Sequence, residues 1–422
     1  MSNHSGPYSN ARYSAPDVLR GFAMFGMLLM NIQGYALLSS EYVNPMAKGS
    51  LVGADWWAWA FTHVFTEQKF MTLFSLLFGA GVAIAAEHRE ARGQSPWGDF
   101  WTRSALLLVI GMAHAYLVWY GDVLTTYALA GVVAMLMRKR RVRTLMATGL
   151  LLLSLPSLYS LLLGFSFGGF PPDIKAELAQ AWNPTVTAIA REQLAYRSGW
   201  LAQMPQRLHD AWTLQTFFMA TLFFWRAAGL MLIGMALRQI GLLTGERPAA
   251  TYSRLAMIGV PLGVAITVLG VLSNEAHHWE VSYSMFLGSQ FNYWGSIVLA
   301  FGYLGLVYAM RQRNAFAGLI GVFAKAGRST LTLYLLMSIV GTFVFYGHGL
   351  GYYDRLGRLT LLAMAPAFWL VELLVLGIWS RRFRSGPMEM LMAWVRDLVV
   401  PAPHASSPAV ASAQLHIENI CP

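Results

Sequence analysis

Apolar residues in this chain come in long blocks separated by short polar stretches. The blocks fall at residues 21–38, 70–86, 104–120, 123–137, 145–165, 216–237, 255–272, 291–310, 330–346 and 359–379. About 20 helical residues cross the roughly 30 Å hydrocarbon core of a bilayer, and most of these blocks approach that length. The pattern predicts an all-α fold: a polytopic integral membrane helix bundle of about ten transmembrane helices. The stretch 55–66, DWWAWAFTHVFT, is shorter and rich in tryptophan. Because Trp and Tyr favour the headgroup layer, it is expected to be an interfacial or re-entrant helix. A full span there would reverse the N-terminus.

Composition agrees with the pattern. The chain is 56% hydrophobic and 12% charged, against roughly 25% charged in a soluble domain. Its net charge of +10 does not point to nucleic acid, because the basic residues sit in short loops between apolar blocks, as topology signals do. Every second loop is basic. Arg89, Arg92 and Arg103 follow the second block, and Arg138, Lys139, Arg140, Arg141 and Arg143 the fourth. Arg238, Arg247 and Arg254 follow the sixth, Arg311, Arg313, Lys325 and Arg328 the eighth, and Arg381, Arg382 and Arg384 the tenth. The positive-inside rule places these loops, and with ten spans both termini, on the cytoplasmic side. The single cysteine, Cys421, excludes internal disulfides and thiolate metal clusters. The first block shows no small-residue cleavage site, so no cleaved signal peptide is expected.

The organisation is then a cytoplasmic segment over 1–19, a five-span half with the aromatic segment over 20–165, and an outer insert over 166–214. A second five-span half covers 215–397, and a Pro/Ala/Ser-rich tail expected to be disordered covers 398–422. The insert, helical from Asp173 to about Arg207 and carrying both charge signs, is expected to lie on or above the membrane.

Polar residues inside spans are costly, so each is a functional candidate. His114, in the third block, precedes Asp122 by eight residues. The two reach one site only if the chain folds back at Gly121, and histidine suits proton transfer near neutral pH. A structural histidine is the competing reading. His63 and Glu67 share a helix face, beside Lys69, as a second base-and-carboxylate pair or a solvated interfacial face. Asn31 serves chemistry or interhelical hydrogen bonding. Arg226, mid-span, needs a polar cavity, an anionic ligand or a carboxylate such as Glu372. His277 and His278 with Glu275 and Glu280 lack a second ligand group at metal-site spacing and read as a solvated loop, so no metal is expected.

Several segments resemble the YeiB-like bacterial membrane proteins, the domain of unknown function 418. They are RYSAPDVLRGFAMFGMLLMNIQGYA (12–36), KFMTLFSLLFGAGVAI (69–84), IGMAHAYLVWYGDVLTTYALAG (110–131), AGRSTLTLYLLMSI (326–339) and SGPMEMLMAWV (385–395). Leu333 and Met337 stand where the family pattern has Asn and Gln. The opening also resembles that of transmembrane acyltransferases acting on sugars, in the stretch Asp17–Arg20 followed by Gly21. That resemblance implies an acyl group moving from a cytoplasmic donor, acyl-CoA as a co-substrate, to a hydroxyl or amine acceptor, a small molecule, glycan or lipid, at the outer face. In this reading His114 with Asp122, or His63, acts as the base, and Asn31 lies at the position of an acyltransferase catalytic residue. Arg20, Lys69, Arg226, Arg328, Tyr334 and Ser338 bind substrate. No bound cofactor is expected. A permease for a small or anionic solute, with Arg226 and Glu372 as a pathway pair, is the alternative.

Overall fold

The computed structural model describes residues 14–400. Most of the expected tail, with Cys421, and most of the expected N-terminal segment lie outside the described residues. The helices are α1 (Ala15–Ala36), α2 (Ser39–Val43), α3 (Gly53–Phe65), α4 (Lys69–Glu90), α5 (Pro96–Ala113) and α6 (Leu124–Met137). They continue as α7 (Val142–Ser166), α8 (Pro172–Trp182), α9 (Val186–Tyr196), α10 (Met204–Thr213), α11 (Phe224–Gln239) and α12 (Ala249–Ala276). The last are α13 (Val281–Tyr283), α14 (Ser289–Gln312), α15 (Ala317–Gly327), α16 (Thr330–Phe345), α17 (Arg358–Trp379) and α18 (Pro387–Val399). There is no strand among the described residues.

Every expected block is helical, but not all qualify as spans. Among the described residues, seven helical runs are long and apolar enough to cross a membrane, and eight if α15 and α16, bent by 86° at their junction, count as one broken span. The expected ten are therefore not reached on length and composition. The shortfall has a physical cause. α6 has only 14 residues, and α1 carries Asp17, Arg20, Asn31 and Gln33. α1 tolerates these groups because protein rather than lipid surrounds it: α4, α14, α15, α16 and α17 all pack against it. Ser14 caps its start by accepting from the Asp17 N–H at 3.3 Å, and Asp17 in the first turn suits the positive end of the helix dipole.

The aromatic segment is helical, as α3, and runs on into α4 as one 38-residue unit. At 1.5 Å per residue that is about 57 Å, well beyond the hydrocarbon thickness. Gln68, in the left-handed region at φ 66°, marks the joint. The insert also differs from expectation. Its helical stretch is broken after α8 at Asn183-Pro184, and Thr185 restarts it by capping α9. From Met204 it joins the sixth block in a single 36-residue helical run. α8 and α9 fold over one end of the bundle. The Asn44 amide donates to the Trp182 carbonyl at 2.9 Å, Gly347 N–H to that of Tyr196 at 2.9 Å, and Arg197 to that of Tyr353 at 2.8 Å. In this cap, burial pushes the Glu41 carboxyl up from its ordinary value while Lys48, 2.9 Å away, pulls it back.

Backbone contacts set the helix spacing. A Cβ at Gly79 would fall 2.1 Å from the Met231 carbonyl oxygen, and one at Gly234 would fall 2.0 Å from that of Leu76. α4 and α11 therefore touch main chain to main chain, as small residues allow. Gly79→Leu is expected to force them apart and to cost the protein its single elution peak in detergent. Wild-type elution and melting temperature would show that the contact is dispensable.

α18 buries none of its residues. Met390, Leu391, Trp394 and Leu398 are exposed at a spacing that forms one apolar face, the signature of a helix lying at a membrane surface. Its Glu389 faces inward. One carboxylate oxygen accepts from Leu331 N–H at 2.6 Å and Thr332 N–H at 3.3 Å, and the other from the Thr332 hydroxyl at 2.6 Å. This caps α16 at its bend from α15. Glu389→Ala is expected to remove about 1–2 kcal/mol of capping and to speed hydrogen exchange at Leu331 and Thr332. Unchanged protection there would contradict the capping role.

Candidate functional site

The third apolar block ends in a π-turn, His114–Val118, which follows α5 directly. Such turns widen the helix locally and recur at functional sites. The chain then folds back through Gly121 and re-enters as α6, which brings Asp122 to His114. His114 Nδ1 lies 3.0 Å from one Asp122 oxygen, and the other oxygen accepts from Thr125 N–H at 2.9 Å. Two glycines leave the room: a Cβ at Gly111 would stand 2.8 Å from the Asp122 carboxylate, and one at Gly121 would stand 2.4 Å from the Trp119 ring. The side chains of the dyad are 1% and 0% exposed. His114 Nε2 is buried with no hydrogen-bond partner. With Asp122 ionised, Nδ1–H donates to it and the Nε2 lone pair is free, the tautomer a general base needs.

Tyr334 of α16 completes the group. Its hydroxyl accepts from Val123 N–H at 3.2 Å and donates to Asp122 at 3.4 Å, with its ring 5.0 Å from that of His114. One turn on, the Ser338 hydroxyl is 3.0 Å from that of Tyr35, and Tyr35 packs on Trp119. The Asn31 amide points at the Met337 sulfur, 3.9 Å away. So α1 and α16 present Asn31, Tyr35, Tyr334 and Ser338 along one seam leading to the dyad.

A cavity of about 1030 Å³ runs from the end of the bundle that carries the basic loops toward this seam. Its mouth is lined by Arg20, Arg89, Arg92, Arg103, Arg328 and Arg396, its walls by Met24, Met27, Phe74, Leu77 and Leu107, and its inner end by Val123, Tyr127 and Tyr334. His114 stands one layer behind Tyr334. Arg20 and Arg328 thus sit at the opposite end of the cavity from the dyad.

The other candidates form a separate cluster. His63 and Glu67 touch at 2.5 Å, as their spacing implies. The fully buried Lys69 ammonium donates to the His63 carbonyl at 2.7 Å and to Asn292 at 2.5 Å. Arg226 donates to the Tyr293 carbonyl at 3.1 Å, Ser296 at 2.8 Å and Thr72 at 3.2 Å, and lies over the Tyr293 ring at 4.5 Å. Of the alternatives open to Arg226, the pair with Glu372 does not form: its acceptors are those of α4 and α14, and both Glu372 oxygens are buried without a hydrogen-bond partner. At the end of α12 and in the loop after it, the His277 ring stacks on Tyr283 at 3.5 Å and Glu275 accepts from Trp56 at 3.2 Å.

A family model described as "Protein of unknown function (DUF418)" matches residues 236–397. A relative from Escherichia coli (strain K12), "Uncharacterized protein YeiB", is 32% identical over 399 residues, covering 94% of this chain and 97% of its own. The chain belongs to the YeiB-like DUF418 family. A second YeiB-like relative, "Uncharacterized protein YxaH" of Bacillus subtilis (strain 168), is 29% identical over 411 residues, 93% of this chain and 96% of its own. A third, from Bacillus acidopullulyticus, matches 38% of this chain at 29% identity. Together with the apolar helices, these relatives make this a multi-pass bacterial membrane protein.

Two groups in this DUF418 chain escaped the sequence reading. Asp99, the one acid between Arg92 and Arg103, gathers Arg89, Arg103 and Arg396. Arg358, just outside an apolar block, is buried and donates to the Gln33 side chain and to the Glu41 carbonyl. The signal for Asp99 was present, as the acid between Arg92 and Arg103. Arg358 looked like a loop residue because its partners on α1 and α2 are more than 300 positions away.

Proposed function

We propose that this protein transfers an acyl group from an activated donor, entered through the arginine-lined cavity, to a hydroxyl or amine acceptor at the capped end. The observation that carries this reading is the buried His114–Asp122 dyad with a free Nε2, set directly behind the cavity's inner wall. Tyr334 shields the dyad, so it must shift for the two substrates to meet. His114 Nε2 takes the acceptor proton as the acceptor oxygen or nitrogen attacks the acyl carbonyl. The tetrahedral intermediate collapses with loss of the donor's leaving group, and the imidazolium returns the proton to it. Asp122 holds the ring and stabilises its charged form. The basic loops at the cavity mouth favour a cytoplasmic opening by the positive-inside rule, and in this reading donor and acceptor approach from opposite faces.

The test is purified protein in nanodiscs with labelled acetyl-CoA and mixed hydroxyl and amine acceptors. Label should move to an acceptor with wild type and not with His114→Ala. No transfer by either protein, with label crossing proteoliposomes unmodified, would favour the permease. That second reading retains one observation, the lone buried carboxylate of Glu372 in the last apolar helix, since an intramembrane carboxyl is a natural proton carrier.

A further inference from the structure

The π-turn that opens at His114 is held from outside its own helix. It runs to Val118, and the chain turns extended at Trp119, φ −149° and ψ 125°. Its closing bond runs from Trp119 N–H to the His114 carbonyl at 2.9 Å. The Leu117 carbonyl falls in the last turn, where a helix offers carbonyls no partner of its own, and a bare carbonyl in lipid is costly. Two side chains of the outer insert supply the missing donors. Arg207 Nη1 donates to this oxygen at 3.1 Å and Trp200 Nε1 at 2.9 Å, which uses both of its lone pairs.

Arg207 is fixed for this contact. It is 0% exposed. Its second fork nitrogen, Nη2, donates to Gln203 Oε1 at 2.5 Å, and Gln203 Nε2 donates in turn to the Ser198 carbonyl at 2.6 Å. The guanidinium also lies 5.9 Å from the centres of the Trp200 and Tyr346 rings. α10 runs on into the sixth apolar block as one helical run, so the donor is mounted on a rigid element.

The contact has leverage because a π-turn holds one residue more than an α-turn. If the Leu117 carbonyl is released, the turn can relax to α-helix. Everything after it then rotates by one residue, about 100°, and slides by about 1.5 Å. His114 opens the turn and Asp122 follows it, so this relaxation carries the carboxylate away from Nδ1. We infer that Arg207, together with Trp200, is a positioning residue for the dyad: by holding the Leu117 carbonyl it keeps the π-turn wound and His114 on Asp122. The outer insert, 90 positions along the chain from Leu117, thereby becomes part of the site. Its effect on transfer rests on the proposed reaction at His114, whereas its effect on the His114–Asp122 bond does not.

The test uses full-length protein in nanodiscs with isotope-labelled histidine, read by solid-state NMR, with His114→Ala identifying the signal. Wild type should show the tautomer with Nδ1–H hydrogen-bonded and Nε2 bare. Arg207→Met, which keeps bulk and removes the donor, should lose that bond and pass toward the Nε2–H form that free imidazole favours. Arg207→Lys, which restores one donor, should recover much of the wild-type signal. Should the methionine variant fail to fold, Trp200→Phe, at a residue 38% exposed, should move the signal the same way to a smaller extent. A wild-type His114 signal in either folded variant would overturn the positioning role. A loss in Arg207→Met that lysine does not repair would reduce Arg207 to a packing residue and overturn it too. Where wild type transfers label, Arg207→Met should lower kcat by roughly tenfold to 100-fold, the cost of misplacing a catalytic group by about 1 Å, with the donor KM unchanged. A tautomer that follows Arg207 in a protein without transfer would keep the positioning role and remove the reaction.

Discussion

His114→Ala is expected to lower acyl transfer by roughly 10²–10⁴-fold, the usual contribution of a positioned general base, while leaving donor binding unchanged. The selectivity follows from geometry. His114 lies behind Tyr334 and outside the cavity lining, so its loss removes proton transfer without removing a donor contact. Asp122→Asn is expected to act more mildly on folding than on rate. An asparagine oxygen can still accept from Thr125 N–H at the start of α6, but it no longer stabilises the imidazolium. A His114→Ala protein with wild-type transfer would end the dyad reading. A loss of transfer accompanied by a large drop in melting temperature would make His114 a structural residue instead.

Arg226→Lys is expected to destabilise the protein by about 2–4 kcal/mol, the scale of one or two lost hydrogen bonds to a charged group. The guanidinium spans three acceptors on α4 and α14 with a planar fork, and a lysine ammonium is a single point that cannot reach them together. The arginine lies on α11, so the same bonds tie three helices through one side chain. Arg226→Met should be at least as damaging, because the methionine leaves the Tyr293 carbonyl without its charged donor. Melting in detergent is the measurement. An Arg226→Met protein as stable as wild type would show that the clamp contributes nothing.

Much of this architecture is legible in the sequence, because lipid imposes a length rule on apolar blocks. The meeting of His114 and Asp122 was also legible, since two adjacent blocks joined at Gly121 allow little else. What failed to show was long-range choice of partner. Glu372 is one of the partners that charge offers Arg226, yet the Tyr293 carbonyl and Ser296 hydroxyl of α14 and the Thr72 hydroxyl of α4 hold the arginine. The π-turn at His114 has no sequence signal, and α15 was hidden in a stretch read as a basic loop. The insert was read as one helical stretch up to Arg207, but Asn183-Pro184 broke it and Met204 was drawn into the next span. α1 shows the limit of hydropathy itself. It buries most of its residues against α4, α14, α15, α16 and α17, yet it is not among the span-like helices by composition.

That enclosure has a consequence for biogenesis. α1 leaves the ribosome long before α15, α16 and α17, the partners that shield its polar side. Until they are made, the bilayer has little reason to retain it. A chain stopped after α14 should therefore hold α1 poorly, and glycosylation or protease mapping of such truncations should find it slipping out of the membrane. On this expectation the order of synthesis and the order of stable insertion are opposed, the last helices securing the entry of the first.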